Sequence, residues 1–172
     1  MNTIRSKSRL TIASNVADVF AYVCDVGRWP QWAPTVDECW VQGGGPLAPG
    51  ARVEQRAKML FGATRYRAQY VTVVKASRSL AFAGPMGTSA ALWGMHFAPI
   101  GGGRTEAEMW FEVDLSNVMR VLPGRALQGR IQRVMDVEMV AIKVAVESSA
   151  PSRAQTPTEE SRRNGSRSTS TP

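Results

Sequence analysis

Few residues in this chain could do chemistry, and their spacing decides which kind. Tyr66 and Tyr70 stand four apart in a stretch that alternates as a strand does, so both phenols share one face. Inside an apolar enclosure a phenol can donate to a carbonyl oxygen or orient it, which makes these two the acid/base candidates. Gln55, on the matching face of the strand before them, adds an amide. The only histidine, His96, falls on the outward side of its strand, which leaves a serine or cysteine nucleophile without a base. Glu106, Glu108, Glu112 and Asp114 would make a tempting carboxylate set, but alternation sends all four to solvent. Cys24 and Cys39 lie in different elements with no CxxC and no histidine cluster; they read as buried free thiols, and no metal or other cofactor is expected. The runs Gly-Gly-Gly-Pro at 43–46 and Gly-Gly-Gly-Arg at 101–104 are turns outside any strand-to-helix phosphate-binding context, which sets nucleotides aside.

The elements that must hold these residues follow from periodicity. Ile4 to Ile12 alternates as a half-buried strand, and Ser14 and Asn15 offer an N-cap to a short helix ending near Asp25. Residues 25–36, with Trp29 and Trp32 each close to a proline, describe an irregular apolar knuckle that closes one end of a sheet. Six strands are expected between Val36 and Leu115. In one of them Val53, Gln55, Ala57 and Met59 face inward, against Arg52, Glu54, Arg56 and Lys58. In the next, Tyr66, Ala68 and Tyr70 are set inward because Arg65, Arg67 and Gln69 belong on a solvent face. Leu80 to Ala83 is a short strand stopped by Gly84-Pro85; Trp93, Met95 and Phe97, then Ala107, Met109, Phe111 and Val113, point inward from the last two. Finally Ile131, Met135, Met139, Ile142 and Val146 form one helical stripe in a stretch from Arg125 to Glu147, with Glu138 beside it. One antiparallel sheet curled round one C-terminal helix, an α+β architecture, is the economical arrangement.

With 172 residues, 44% hydrophobic and 20% charged, the chain can bury a sizeable core within one domain, expected over 1–147. Residues 148–172 hold eleven Ser/Thr, three Pro and no aliphatic side chain larger than Ala, so a disordered tail is expected there. Arg5, Lys7 and Arg9 stand where a signal peptide needs an apolar run, and no segment approaches eighteen consecutive apolar residues; a cytoplasmic protein without a transmembrane segment is the expectation.

Taken in order, these elements and motifs resemble a known family. A strand, a helix running into Asp25, Arg28, Trp29, Pro30 and Trp32, a loop ending at Gly50, a last hairpin with Phe97, Pro99, Gly102, Gly103 and Thr105, and a long terminal helix are similar to the polyketide cyclase/dehydrase-like branch of the START-related SRPBCC superfamily. The likeness spans about 4–147. It implies the helix-grip fold, seven antiparallel strands wrapped on the helix with an elongated cavity between them. Aromatase/cyclase members tend to use a cavity arginine, serine or tyrosine; where the Gly-Gly-Thr hairpin aligns such an arginine, this chain has Tyr70 or a neighbour.

If the cavity exists, its walls are the inward positions Met59, Trp93, Met95, Met109, Phe111, Met135, Met139 and Ile142, with Gln55, Tyr66 and Tyr70 as polar handles. The bland alternative is that this methionine and aromatic stripe is a solid core. Three functions remain open: binding of a hydrophobic small molecule such as a lipid or polyketide, cyclisation or dehydration of a poly-β-keto chain, or protein interaction through the outer surface. Three or more convergent titratable groups inside would favour chemistry. The alternation supplies fewer, which favours binding. On the outside, Arg52, Arg56, Lys58, Arg65 and Arg67 form a basic patch suited to an acidic carrier protein and, for want of interleaved aromatics, not to nucleic acid. A second helical stripe, Val134, Val137, Ala141 and Val144, points to a homodimer contact.

Overall fold

The two ends of the folded chain lie side by side. A computed structural model describes residues 3–58, 63–86, 89–114 and 124–149. Seven antiparallel strands run in the order β1-β7-β6-β5-β4-β3-β2: β1 Thr3–Ile12, β2 Val36–Val41, β3 Arg52–Lys58, β4 Thr64–Lys75, β5 Ser79–Met86, β6 Ser89–Pro99 and β7 Thr105–Asp114. Between β1 and β2 come helix α1, Val16–Cys24, a single 3-10 turn, Val26–Arg28, and one helical turn α2, Trp29–Trp32. The long helix α3, Gly124–Ser149, closes the structure. The apolar knuckle is therefore helical, and β5 runs through Gly84 and Pro85 where a stop was expected. The expected tail lies outside the described residues from 150 on.

Local chemistry explains the elements. Asn15 caps α1, its side chain accepting from the Asp18 amide at 3.0 Å. The stripe on α3 is buried as its spacing demands, with Met139 and Ile142 wholly enclosed. Along its flank α3 covers β1, an edge strand whose carbonyls would otherwise be open: Gln128, Gln132 and Lys143 donate to the carbonyls of Arg5, Lys7 and Thr11, at 3.2, 2.8 and 2.7 Å. Ser8 adds a bond to Asp136 at 2.6 Å. The knuckle closes one end of the interior. Trp29 is 1% exposed, donates its indole to the Val23 carbonyl at 2.9 Å, and meets Phe82 and Trp93 edge-on at 5.3 and 5.4 Å.

The outer face of the sheet is a lattice of opposite charges. In the β1–β7 register Arg5 stands opposite Glu112 and Arg9 opposite Glu108, and the side chains follow: Arg5 to Glu112 at 3.0 Å, Lys7 to Glu108 at 2.8 Å, Arg9 to Glu108 at 3.2 Å. His96 is exposed and stacks against Trp110 on this face. Gly94 makes that possible, since a Cβ there would meet Trp110 Cζ2 at 2.9 Å and collide with the Leu80 carbonyl.

Candidate functional site

The inner face of β2, β3 and β4 carries a polar row. Antiparallel register puts Cys39, Gln55 and Arg67 directly across from one another on three neighbouring strands, and cross-strand partners share a face. Arg67 Nη2 donates to Gln55 Oε1 at 3.3 Å. Two residues along β4, Gln69 also points inward and accepts from the Trp93 indole at 2.8 Å. Gly84 lets β5 pass close by, because a Cβ there would meet the Gln69 Cβ at 2.9 Å. Arg67 Nε and Gln69 Nε2 are buried without a hydrogen-bond partner.

This reverses the facing expected for β4. Tyr66 and Tyr70 are 71% and 50% exposed, so neither phenol lines the interior, while Arg67 and Gln69, assigned to solvent, lie inside. Pairing decides the matter. Gln55 and Ala57 of β3 face inward, and their partners Arg67 and Arg65 must share that side wherever the register is unbroken. Arg65, at the open end of the strand, still reaches solvent. An arginine thus stands on the inner wall three residues before Tyr70.

Glu138 stands on α3 beside the buried Met135, Met139 and Ile142. Burial, the larger effect, pushes its carboxyl up to about 7, and the Arg67 cation draws it the other way. Burial likewise pulls the Arg67 guanidinium below its ordinary value, with Glu138 and Cys39 acting against that. The Cys39 thiol is raised by burial to about 12 and the Cys24 thiol to about 11, so both are protonated at neutral pH and make poor nucleophiles. Both are half-buried, not enclosed as expected. Arg67 and Glu138 are two charged-type groups that the alternation did not supply, and the neutral Cys39 thiol beside them adds no third group able to act.

The other expected lining residues divide into three sets. Gln55, Met95, Met109, Met135, Met139 and Ile142 are buried on inner positions. Trp93 and Phe111 face inward across β6 and β7 and remain half-buried, with Trp93 stacked on Phe82 at 4.3 Å. Met59 lies outside the described residues. Glu138 and Arg67 are half-buried as well, so part of this inner surface is open to solvent. A separate open depression of about 440 Å³, lined by Pro34, Ala126, Arg130, Arg133, Val134 and Val137, lies on the other side of α3 and shares no residue with the inner set.

The expected basic patch is not what the charges make. Arg67 leaves it for the interior and Arg65 turns to the same side of β4; Arg56 pairs with Glu38 at 3.1 Å and Asp37 at 3.8 Å, and Arg52 with Glu54 at 3.2 Å. The face also holds aromatics after all, with Tyr66 against Trp40 at 6.3 Å and Tyr70 nearby on β4. What speaks against a phosphate-binding face is this neutralisation of its arginines. On α3, Val137 and Val144 of the second stripe are exposed, together with Val140. No helix among the described residues is long and apolar enough to cross a membrane.

Comparison with known proteins agrees with this architecture. The sequence profile described as polyketide cyclase/dehydrase and lipid transport matches residues 3–147. A START superfamily protein from Mycobacterium smegmatis superposes with a TM-score of 0.69 at 16% identity, over 84% of this chain and 98% of that one. Ara h 8.0201 gives 0.64 at 16%, over 85% and 99%. The di-domain ARO/CYC StfQ from the steffimycin biosynthetic pathway gives 0.66 at 11%, over 85% of this chain and 51% of that one, so this chain spans about half of its length. Identities this low speak for the fold alone. Among curated proteins none matches the sequence.

Proposed function

The chain belongs to the polyketide cyclase/dehydrase and lipid transport family, and from that premise we propose that it binds one hydrophobic small molecule between the sheet and α3. The observation that carries the reading is the pair of buried donors without a hydrogen-bond partner, Arg67 Nε and Gln69 Nε2, on an inner face that also carries Trp93, Met95, Met109 and Phe111. Apolar area would supply most of the affinity, and a few fixed donors would orient an oxygen-bearing end. The half-buried state of Trp93, Phe111, Arg67 and Glu138 supports a concave, solvent-reachable interior over a filled core.

Native mass spectrometry of the purified full chain tests this. A population heavier by one small organic molecule, released on denaturation, is expected, along with enhanced fluorescence of the neutral dye N-phenyl-1-naphthylamine. A chain that carries nothing and leaves the dye dark would overturn the reading.

A second reading, a polyketide cyclase or dehydratase, is favoured by Glu138 and Arg67 acting on each other. The Glu138 carboxylate would take a proton from the carbon between two carbonyls, and the electron pair would move onto an oxygen held by Arg67. The enolate carbon would then attack a second carbonyl of the chain, whose alkoxide recovers the proton from Glu138. Turnover of a poly-β-keto thioester analogue, lost in Glu138→Gln, is the expected outcome; spontaneous-rate products from the wild type would remove it.

The proposed homodimer would pack α3 on α3 through Val137, Val140 and Val144, and sedimentation showing a monomer at all concentrations up to ~100 μM would sink it. An acidic carrier protein now has a weaker case, because Arg65 and Arg67 turn to the inner side of β4 and Lys58 is what remains on the outer face without a carboxylate partner in the ion pairs above.

A further inference from the structure

Arg67 lies on the inner side of β4 and Glu138 beside the buried stripe of α3, yet among the described residues no nitrogen of Arg67 lies within 4 Å of a carboxylate oxygen. They act on each other across a gap. Among the described residues the other cation on the inner side of β4, Arg65, stands at the strand's open end and reaches solvent. On α3 itself the residues three and four places from Glu138 are Val134, Met135, Ala141 and Ile142. β1, on which α3 lies, sends Arg5, Lys7 and Arg9 to the outer face, where glutamates hold them. In α1, Asp18 is engaged by Asn15, Tyr22 by Gln31, and the Cys24 thiol is neutral; α2 has no ionisable side chain, and Asp25 and Arg28 pair with each other. From β2 comes the neutral thiol of Cys39.

We propose that the site takes an anionic amphiphile, a carboxylate or enolate head on an apolar body, and that each molecule binds together with one proton. The head accepts from Arg67 and Gln69 on β4, while Glu138 becomes a neutral carboxylic acid. A second anion inside the same apolar walls would otherwise face the first across the guanidinium with too little water to screen them. Burial already favours the neutral Glu138 carboxyl, so the incoming head strengthens a preference that the site has built in. By reciprocity, a ligand that draws a proton in must be bound more tightly where protons are plentiful. This rests on the reading that the interior takes a hydrophobic ligand, and it adds the charge of the head and the linkage.

Dodecanoate and dodecanol, equal in chain and different in head, separate the two claims. Calorimetric titration of the full chain near pH 7.5, in two buffers of different ionisation enthalpy, counts the protons taken up. Dodecanoate is expected to take up between about half a proton and one proton per molecule bound, with affinity falling at least about tenfold between pH 6 and pH 8.5. Dodecanol is expected to take up none. In Glu138→Gln the uptake vanishes and the dodecanoate affinity becomes flat with pH; in Arg67→Met the preference for dodecanoate over dodecanol falls by at least about tenfold. Thermal melts certify that both variants are folded, and the wild-type proton count stands without them. Dodecanoate binding with no proton uptake, or uptake that persists in Glu138→Gln, overturns the proposal and leaves hydrophobic binding intact. Failure of both probes to bind overturns both.

Discussion

Arg9 and Arg67 are the same side chain on opposite faces of one sheet. Arg9 is more than half exposed and touches Glu108 and Glu106, pairs that form because the β1–β7 register leaves opposite charges abreast. Arg67 keeps a neutral amide as its hydrogen-bond partner and holds Glu138 at a distance. Contact and consequence run in opposite senses. The touching pairs are solvated and screened, so each contributes little; the separated pair sits where desolvation is costly and every change of charge is felt. Direct pairing marks the face turned to water, and incomplete pairing marks the face on which the proposed ligand would act.

The contrast is broken most severely by adding a third interior charge. Met95 is fully buried on the inner face, and Met95→Arg should cost at least ~3 kcal/mol, enough to unfold a marginal domain; denaturant melts read it, and a variant as stable as wild type would place Met95 against solvent. Next comes removal of an interior charge. Because burial raises Glu138, its contribution to stability is complete below the ordinary carboxylate range and is lost as pH rises through about 7. Glu138→Gln should therefore be more stable than wild type by about 1 to 3 kcal/mol at pH 8 and nearly equal to it at pH 5. Equal stability at pH 8 would mean that the carboxylate is solvated. On the outer face, Lys7→Ala should lower the melting midpoint by only about 1 to 2 °C, and high salt should erase the difference. Smallest of all, Tyr70→Phe should change the affinity for N-phenyl-1-naphthylamine by less than about twofold, since its hydroxyl stands on the outer side.

That last variant marks where sequence reading went astray. The stripe on α3, the inward set of β3 and the outward glutamates of β7 were all legible, because in each the apolar residues and the charges separate cleanly by period. In β4 the two criteria conflict. Arg65, Arg67 and Gln69 alternate with Tyr66, Ala68 and Tyr70, and the rule that charge faces water chose the wrong set. Register overrides it, since the side of β4 is fixed by pairing with β3. A clue was present in Val71, buried two residues beyond Gln69 and on the same face, but the register shift between Val71 and Val73 ends the pattern before it can be followed. The polar row was therefore invisible for the reason that makes it useful: polar residues turned inward contradict the pattern by which a core is recognised. Glu138 did stand out beside its stripe, but its partner had been sent to the other face.

The seating of β1 between β7 and α3 bears on how the chain is made. Lys7 and Glu108 are separated by 101 residues, so the first of this sheet's strands to be synthesised is among the last to be paired. At the usual ~5–20 residues per second of synthesis, β1 waits on the order of five to twenty seconds for its neighbour, and longer for the helix that covers its edge. Throughout that delay a lone apolar strand would be a template for aggregation. The cations at Arg5, Lys7 and Arg9 repel a second copy of the same strand and stay inert until Glu106, Glu108 and Glu112 emerge, so the residues that close the sheet also guard the nascent chain before there is a sheet to close.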